Sequence, residues 1–346
     1  MVGHRRREFR EGGGDYIKRG MKRDGFIKEM GFVMRVSSLK IRTEAGRRVL
    51  LRPVVVVVAV AALALAAVLH AGAFSAHAVA PKADLWPRWQ AHDPRSTIEI
   101  DHSAWAAFLE KFILKRPDGV NRLIYGAVKE WDRRRLWAYI DRLATAPVSR
   151  LRRAEQFAYW VNLYNALTVK AVLEHFPTES ILDISISPGW FSFGPWDKKL
   201  LAVEGEKISL NDIEHRILRP IWRDPRIHYA VNCASIGCPN LDAAPYAAAR
   251  YDAQLNKAAR AYINHPRGAR FGASGLFSTE GLIVSSIYDW YRVDFGGTDA
   301  GVIRHLKKYA SPALAERLGR TSEIEDYEYD WRLNLAPSAP ARAGAN

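Results

Sequence analysis

The feature that most constrains the fold is a long apolar period in the middle of the chain. Residues 149–176 read SRLRRAEQFAYWVNLYNALTVKAVLEHF. One helical stripe in this segment is formed by Phe157, Trp160, Val161, Tyr164, Leu167, Ala171 and Val172. Pro177 follows directly, and the residue before a proline disfavours helical backbone. The segment therefore predicts a long helix that ends just before Pro177 and buries one face.

Shorter helical and strand-like patterns occur on both sides of this helix. Helical spacing is present in SAWAAFLEKFIL, in DRRRLWAYIDRLAT, in residues 246–263 and in SIYDWYRVDFGG. LLAVEGEKISL and LFSTEGLIVSS are typical of hairpins, and Tyr327, Tyr329 and Trp331 alternate as in a last strand. No long linker or internal repeat interrupts the series. We expect one α+β domain over residues 84–335, rich in helix with a small, mainly antiparallel sheet, and a disordered tail at 336–346.

The N-terminal segment carries most of the positive charge and has the layout of an export signal. Residues 1–78 hold fifteen Lys and Arg against six Asp and Glu, which is +9 of the net +14. Arg47 and Arg48 precede an uncharged apolar run at 54–69, and small residues follow up to Ala78. We predict a signal peptide or signal anchor at 47–78, with cleavage after Ala78 or, if uncleaved, a membrane anchor through residues 53–70. Residues 1–46 are predicted to be disordered or to precede the true start.

Five segments of the exported part carry a resemblance to a known family. They are EQFAYWVNLYNAL, SLNDIEHRILRP, DPRIHYAVNCASIGCPNL, SSIYDWYRVDFGG and YDWRLN, in this order. Their order and wording resemble the bacterial branch of the family called domain of unknown function 547, over residues 84–335. The resemblance implies a shared fold but no assigned activity.

Both cysteines of the chain lie in the third of these segments. Cys233 and Cys238 are separated by four residues, and Gly237 between them is free to take positive φ. Thiols outside the cytoplasm tend to be oxidised, so an exported chain with this spacing is a candidate for a disulfide across a small turn.

A second interpretation makes Cys233 a nucleophile with His228 as its base. If residues 226–233 form one regular strand, the two side chains point to opposite faces, because successive residues alternate. They meet only if the strand breaks at or before Cys233. Otherwise a base must come from a distant segment, for which His215 and Glu214 are available.

Two further interpretations of the cysteine segment remain open. His228, Cys233, Cys238 and His215 can be combined into a metal site, but structural zinc sites show closer paired spacing. We therefore expect no metal ligands. The segment is also compatible with a buried strand that ends in a polar turn, with Cys233 as a small core residue.

Polar residues on the long helix form a second candidate group. Asn162 and Asn165 are three residues apart, and Glu155 lies two turns earlier at nearly the same helical angle. In one alternative, these side chains face solvent or hydrogen-bond the backbone of neighbouring loops. In the other, the ridge faces the cysteine turn, where an amide can donate a hydrogen bond to negative charge that develops at Cys233.

The candidate catalytic residues are therefore Cys233, His228, Glu155, Asn162 and Asn165.

The sequence favours an exported envelope protein, and two functions remain open. One is a cysteine-centred hydrolase or acyl-transfer enzyme acting on peptide or envelope material. The other is a non-enzymatic protein with a Cys233–Cys238 disulfide. We expect no cofactor, and we expect no nucleic-acid partner because the exported part carries only +5. A peptide, glycan or envelope partner is expected; the aromatic loop at Trp190 and Trp196 either packs beneath itself or forms a groove for glycan or peptide.

Overall fold

The computed structural model describes residues 81–189, 194–273 and 280–336. These residues fall within one compact unit, Ala76–Asn346. The signal predicted at 47–78, the segment 1–46, Trp190 and nearly all of the tail predicted at 336–346 lie outside the described residues. Within the described residues, no helix is both long and apolar enough to cross a membrane.

Helices account for most of the regular structure in the described residues. The α-helices are α1 (Ser103–Phe112), α2 (Glu130–Ala144), α3 (Arg153–His175), α4 (Arg219–Trp222), α5 (Tyr251–Ile263), α6 (Ile287–Trp290), α7 (Asp299–Tyr309) and α8 (Pro312–Gly319). A π-helix, Asp212–Leu218, runs directly into α4. Short 3₁₀ helices lie at Pro87–Gln90, Tyr125–Ala127, Val148–Arg150, Ile181–Asp183, Pro225–Tyr229 and Arg292–Phe295.

The strands are short and mostly antiparallel. They are β1 (Ile113–Leu114), β2 (Arg122–Leu123), β3 (Leu201–Val203), β4 (Glu206–Ile208), β5 (Ala269–Ala273), β6 (Glu280–Ser285) and β7 (Asp326–Glu328). β1 pairs with β2, β3 with β4 and β5 with β6, all antiparallel, while β7 joins β6 in parallel. The expected fold class, a helix-rich α+β domain with a small, mainly antiparallel sheet, is confirmed.

The long predicted helix forms the centre of the larger hydrophobic core. α3 ends at His175, as expected from Pro177, but it is buried on more than one face. α2, the π-helix and α5 pack against it, which explains why Leu163 and Thr168, outside the predicted stripe, are also buried. A second, smaller core lies between α5, the β5–β6 pair and α7.

The predicted ends of several helices and strands differ from those in the structure. Of the hairpin expected in LFSTEGLIVSS, residues 276–279 lie outside the described part of the chain, and β6 pairs with a strand further upstream, at Ala269–Ala273. The helix expected from about residue 246 begins at Tyr251, and the backbone N–H of Tyr246 donates to the Asn162 side chain. Tyr327 lies in the expected last strand, but that strand ends at Glu328.

The segment before the cysteines is a 3₁₀ helix and not a strand. The side chain of Asp224 accepts a hydrogen bond from the backbone of Arg226, and Pro225 occupies the first helical position. An aspartate cap followed by proline is a helix-start signal, and here it outweighs the β-branched and aromatic residues that follow. The alternation argument that separated His228 from Cys233 therefore does not apply, and the buried-strand interpretation is wrong in its secondary structure.

Candidate functional site

Cys233 begins a turn that lies where the two hydrophobic cores meet. Tyr229 belongs to the smaller core, while Val231 and Ala234 belong to the larger one. Ala234 takes a left-handed conformation with φ 62°, which is strained for a non-glycine residue. The side chain of Asn232 stabilises it by accepting a hydrogen bond from the Ala234 backbone N–H at 2.9 Å.

The turn is held by backbone pairing with the C-terminal segment. Ile236 donates to the carbonyl of Arg332 and Gly237 to that of Asp330, both at 2.8 Å. A Cβ atom on Gly237 would lie 2.7 Å from the Asp330 backbone nitrogen, so the approach requires glycine. The structure therefore brings together two segments that are almost a hundred residues apart in the sequence.

Two side chains from the second core fix the far side of the turn. The Tyr262 hydroxyl donates to the carbonyl of Gly237 at 2.6 Å. The Arg267 guanidinium donates to the carbonyls of Ile236 and Cys238 at 3.0 and 2.8 Å. Carbonyls in a tight turn lack ladder partners, and these donors supply them. The loop between the two cysteines is thus held on both sides.

The Cys233 sulfur is surrounded by hydrogen-bond donors. It lies 3.1 Å from the Tyr329 hydroxyl and 3.2 Å from the Ser235 hydroxyl, and these two oxygens are 3.0 Å apart. Cys233 is half-buried, whereas Cys238 is only 3% exposed. The two cysteines are 3.1 Å apart without a bond, and the Cys233 backbone N–H donates to the Cys238 sulfur at 2.9 Å.

This arrangement separates the acidities of the two thiols. The hydrogen bond from Cys238, followed by those from Ser235 and Tyr329, lowers the pKa of Cys233 to about 7. Burial first, and then the neighbouring Cys233 thiolate, raises the pKa of Cys238 well above its usual value. Burial also raises the pKa of Tyr329, so its hydroxyl stays protonated and available as a donor. Of the pair, Cys233 is therefore the thiol that ionises first, at about pH 7.

His228 lies in a separate buried ionic group. Its Nε2 atom is 2.7 Å from an Asp294 oxygen, its Nδ1 atom is 3.4 Å from Glu214, and its ring stacks on Tyr291 at 4.1 Å. Arg219 also donates to Asp294, at 2.6 Å. Within the described part of the chain, no hydrogen bond or ion pair joins His228 to Cys233. The structure thus provides no contact for the expected cysteine–histidine pair.

The two alternative bases belong to the same ionic group. Glu214 and His215 are both buried in the π-helix, a widened turn that is often found at functional sites. His215 accepts a hydrogen bond from Arg219, and burial lowers the pKa of His215 to about 4. Glu214 accepts a hydrogen bond from Tyr164 at 3.1 Å. Neither residue contacts Cys233.

The three side chains of the expected polar ridge on α3 are buried, but they hydrogen-bond three different segments of the chain. Glu155 accepts a hydrogen bond from the backbone of Ile100, and Asn162 binds both backbone polar groups of Tyr246. Asn165 alone reaches the cysteine segment: it donates to the Ala230 carbonyl at 2.9 Å and accepts from the Asn232 N–H at 2.8 Å. None of the three side chains hydrogen-bonds the Cys233 sulfur.

Aromatic side chains and a cavity lie around Tyr329. Trp290, Tyr329 and Trp331 are half-buried and in mutual ring contact, and Trp196 contacts Trp331 at 6.0 Å. A cavity of about 350 Å³ opens beside the turn, lined in part by Gly237, Arg267 and Tyr329. Of the two tryptophans expected in an aromatic groove, Trp196 is therefore close to this site.

Tyr329, Ser235 and Arg267 are site residues that the sequence did not single out. Tyr329 stood out only through its alternation with Trp331, and Ser235 only as part of a turn. Among the described residues, no group of three or more His, Cys, Asp and Glu side chains is arranged to hold a metal ion. The site that the structure assembles is a pair of thiols with oxygen donors.

Comparison with protein families concerns the part of the chain that contains this turn. Residues 148–263 match the family described as Protein of unknown function, DUF547. The DUF547 match covers α3, the π-helix, both cysteines and α5, but ends before Asp294 and Tyr329. No curated protein and no solved structure shows significant similarity to the chain.

Proposed function

We propose that this chain is an exported protein whose activity depends on Cys233 as a nucleophile. One observation carries the proposal: a half-buried thiol is held among the hydroxyls of Tyr329 and Ser235 and a second thiol. A pKa near 7 places about half of Cys233 in the thiolate form at neutral pH. The thiolate is the reactive form, so this cysteine combines charge with partial access.

The same surroundings supply hydrogen-bond donors for the reaction. In a hydrolase or acyl-transfer reaction on peptide or envelope material, the thiolate attacks an acyl carbon and the leaving group must be protonated. Tyr329 contacts both the sulfur and Ser235 and remains protonated, so it is placed to donate a hydrogen bond to the leaving group while water supplies the proton. The donors thus serve two purposes: they stabilise the thiolate and they hydrogen-bond the leaving group.

The export part of the proposal rests on the N-terminal segment. The basic residues, the apolar run at 54–69 and the small residues up to Ala78 support export to the periplasm or cell exterior, and the five ordered motifs support the bacterial branch of the family. N-terminal sequencing of protein from the expressing cell tests this: a mature chain that begins near Val79 is expected, and a soluble cytoplasmic chain beginning at Met1 or Met34 would contradict it.

A second candidate function is a non-enzymatic envelope protein with a structural disulfide. The 3.1 Å approach of Cys233 and Cys238 favours it, because a small movement brings the sulfurs to the bond length of about 2.05 Å. In that case the thiols serve only to close the turn, and neither reacts with external molecules in the mature protein.

Thiol labelling tests the nucleophile directly. We expect iodoacetamide at pH 7 to alkylate Cys233 of the reduced, native protein at least about tenfold faster than Cys238, as read by peptide mass spectrometry. The Cys233→Ser variant should retain its circular dichroism spectrum and lose the fast label. Equal, slow labelling of both cysteines until denaturant is added would refute the proposal.

A further inference from the structure

Two thiols of unlike exposure face each other across the turn. Cys233 is half-buried and so partly accessible from outside, while Cys238 is enclosed. Ala234, Ser235, Ile236 and Gly237 connect them, and the carbonyls of Ile236 and Gly237 are fixed by Arg267 and Tyr262. A nucleophilic thiol on the outside with a second thiol directly behind it is the arrangement that thiol–disulfide exchange requires.

We propose that Cys233 and Cys238 form a dithiol couple that exchanges with the disulfide of a peptide or protein. This inference rests on the proposed nucleophile and names its reaction. The Cys233 thiolate attacks one substrate sulfur, which forms a mixed disulfide and releases the other substrate sulfur as a thiolate that takes up a proton. Cys238 then loses its proton and attacks the Cys233 sulfur, which forms the Cys233–Cys238 disulfide and releases the second substrate thiol.

Electrons and atoms balance in these two steps. The substrate disulfide gains two electrons and two protons and becomes a dithiol, and the protein dithiol loses the same number and becomes a disulfide. The reverse sequence oxidises a substrate dithiol. No further reagent takes part in a single turnover, and a thiol such as glutathione returns the protein to the dithiol form.

The hydrogen bonds around Cys238 link its attack on the Cys233 sulfur to the earlier formation of the mixed disulfide. While Cys233 is a thiolate, its charge and its hydrogen bond oppose ionisation of Cys238. Both effects end when Cys233 enters the mixed disulfide. The Cys233 backbone N–H, 2.9 Å from the Cys238 sulfur, remains to stabilise the new thiolate. Burial, the first cause of the raised pKa of Cys238, persists, but Cys238 is easier to ionise once the substrate is bound covalently than while Cys233 is a thiolate.

The surroundings of Cys233 favour attack on sulfur over attack on an acyl carbon. Among the described residues no imidazole contacts Cys233, and His228 is bound to Asp294. Deacylation needs a base that activates water, whereas exchange needs only a thiolate and a thiol leaving group of low pKa. The Tyr329 hydroxyl contacts the sulfur, and Trp290 and Trp331 pack against the Tyr329 ring; this aromatic group suits the apolar flanks of a peptide disulfide.

Oxidised glutathione is the probe that tests the couple. The reduced protein and its Cys238→Ser and Cys233→Ser variants are mixed with it, quenched with acid and weighed by mass spectrometry. We expect the wild type to form the internal disulfide and retain no glutathione, Cys238→Ser to retain one glutathione on Cys233, and Cys233→Ser to retain none. With dithiothreitol as reductant, turnover of glutathione disulfide should fall at least about tenfold in Cys238→Ser.

The outcomes separate this inference from the proposed function. If Cys233 alkylates rapidly but the wild type stops at the glutathione adduct, the dithiol couple is refuted and the nucleophile stands. If Cys233 alkylates slowly, both are refuted. An internal disulfide that forms once and is not reopened by reduced glutathione identifies a structural bond, which also overturns the exchange proposal.

Discussion

At the scale of single residues, the reactivity of Cys233 is set by its donors and not by a neighbouring histidine. Hydrogen bonds to a charged group are stronger than those between neutral groups, so each donor that favours the thiolate lowers the thiol pKa. Tyr329 contributes one of these donors from the C-terminal segment. The effect of the Tyr329 hydroxyl on the pKa of Cys233 can be separated from the packing of the Tyr329 ring.

Replacing Tyr329 by Phe removes the hydroxyl and keeps the ring. We expect the pKa of Cys233 to rise by about one unit and its alkylation at pH 6 to slow about three- to tenfold. Tyr327→Phe is the matched control, because the Tyr327 hydroxyl binds Arg292 and Asp299 instead. Equal rates in the wild type and both variants would contradict the role given to Tyr329.

The sequence alone could identify Cys233 but not its environment. Two cysteines within one short turn stand out in a chain that has no others, and their spacing suggested the pairing. Tyr329 lies 96 residues away, and its position depends on the pairing of Ile236 and Gly237 with the C-terminal segment. Long-range backbone pairing leaves no periodic signal, which is why this donor was missed.

At the scale of elements, α3 positions the cysteine turn through one amide. The helical angle of Asn162 and Asn165 was predictable, because spacing fixes which residues share a face. Their partners were not, since those depend on which loops pack against α3. Asn162 and Asn165 lie one helical turn apart on α3. Asn162 hydrogen-bonds the backbone of Tyr246, whereas Asn165 hydrogen-bonds the backbone of Ala230 and Asn232.

The two asparagines allow a matched pair of substitutions. Asn165→Ala and Asn162→Ala each remove two buried hydrogen bonds, and each should lower the free energy of unfolding by about 2 to 4 kcal/mol. Only Asn165→Ala should also change the rate of Cys233 alkylation in the folded protein. Urea unfolding and labelling below the transition measure the two effects, and a similar change of labelling rate in both variants would contradict the specific role of Asn165.

At the scale of the whole molecule, the helical periodicity of the sequence predicted the fold class. It did not predict the 3₁₀ helices or the π-helix. Short helices follow from caps and local packing more than from periodicity. The same packing half-buries two histidines, and this burial lowers the pKa of His102 and of His305 to about 4. His102 pairs with Tyr139 and His305 with Tyr229.

These histidines predict a loss of stability in acid. Below about pH 6.5 the unfolded chain binds protons that the folded chain does not bind until about pH 4, so the free energy of unfolding falls as the pH is lowered through this window. Each histidine contributes up to about 3 kcal/mol. His305→Gln removes one titrating group, so urea titrations should show a shallower pH dependence for this variant; an unchanged slope would contradict the prediction.

The apparent pKa of Cys233 tests the central claim most directly. The rate of iodoacetamide alkylation at Cys233 is measured on the reduced, native wild type from about pH 5 to about pH 10, with peptide mapping to separate it from Cys238. The donors of Cys238, Ser235 and Tyr329 predict a profile with its midpoint at about pH 7. A midpoint at about pH 8.5 or above, the value of an ordinary thiol, would show that the turn does not stabilise a thiolate.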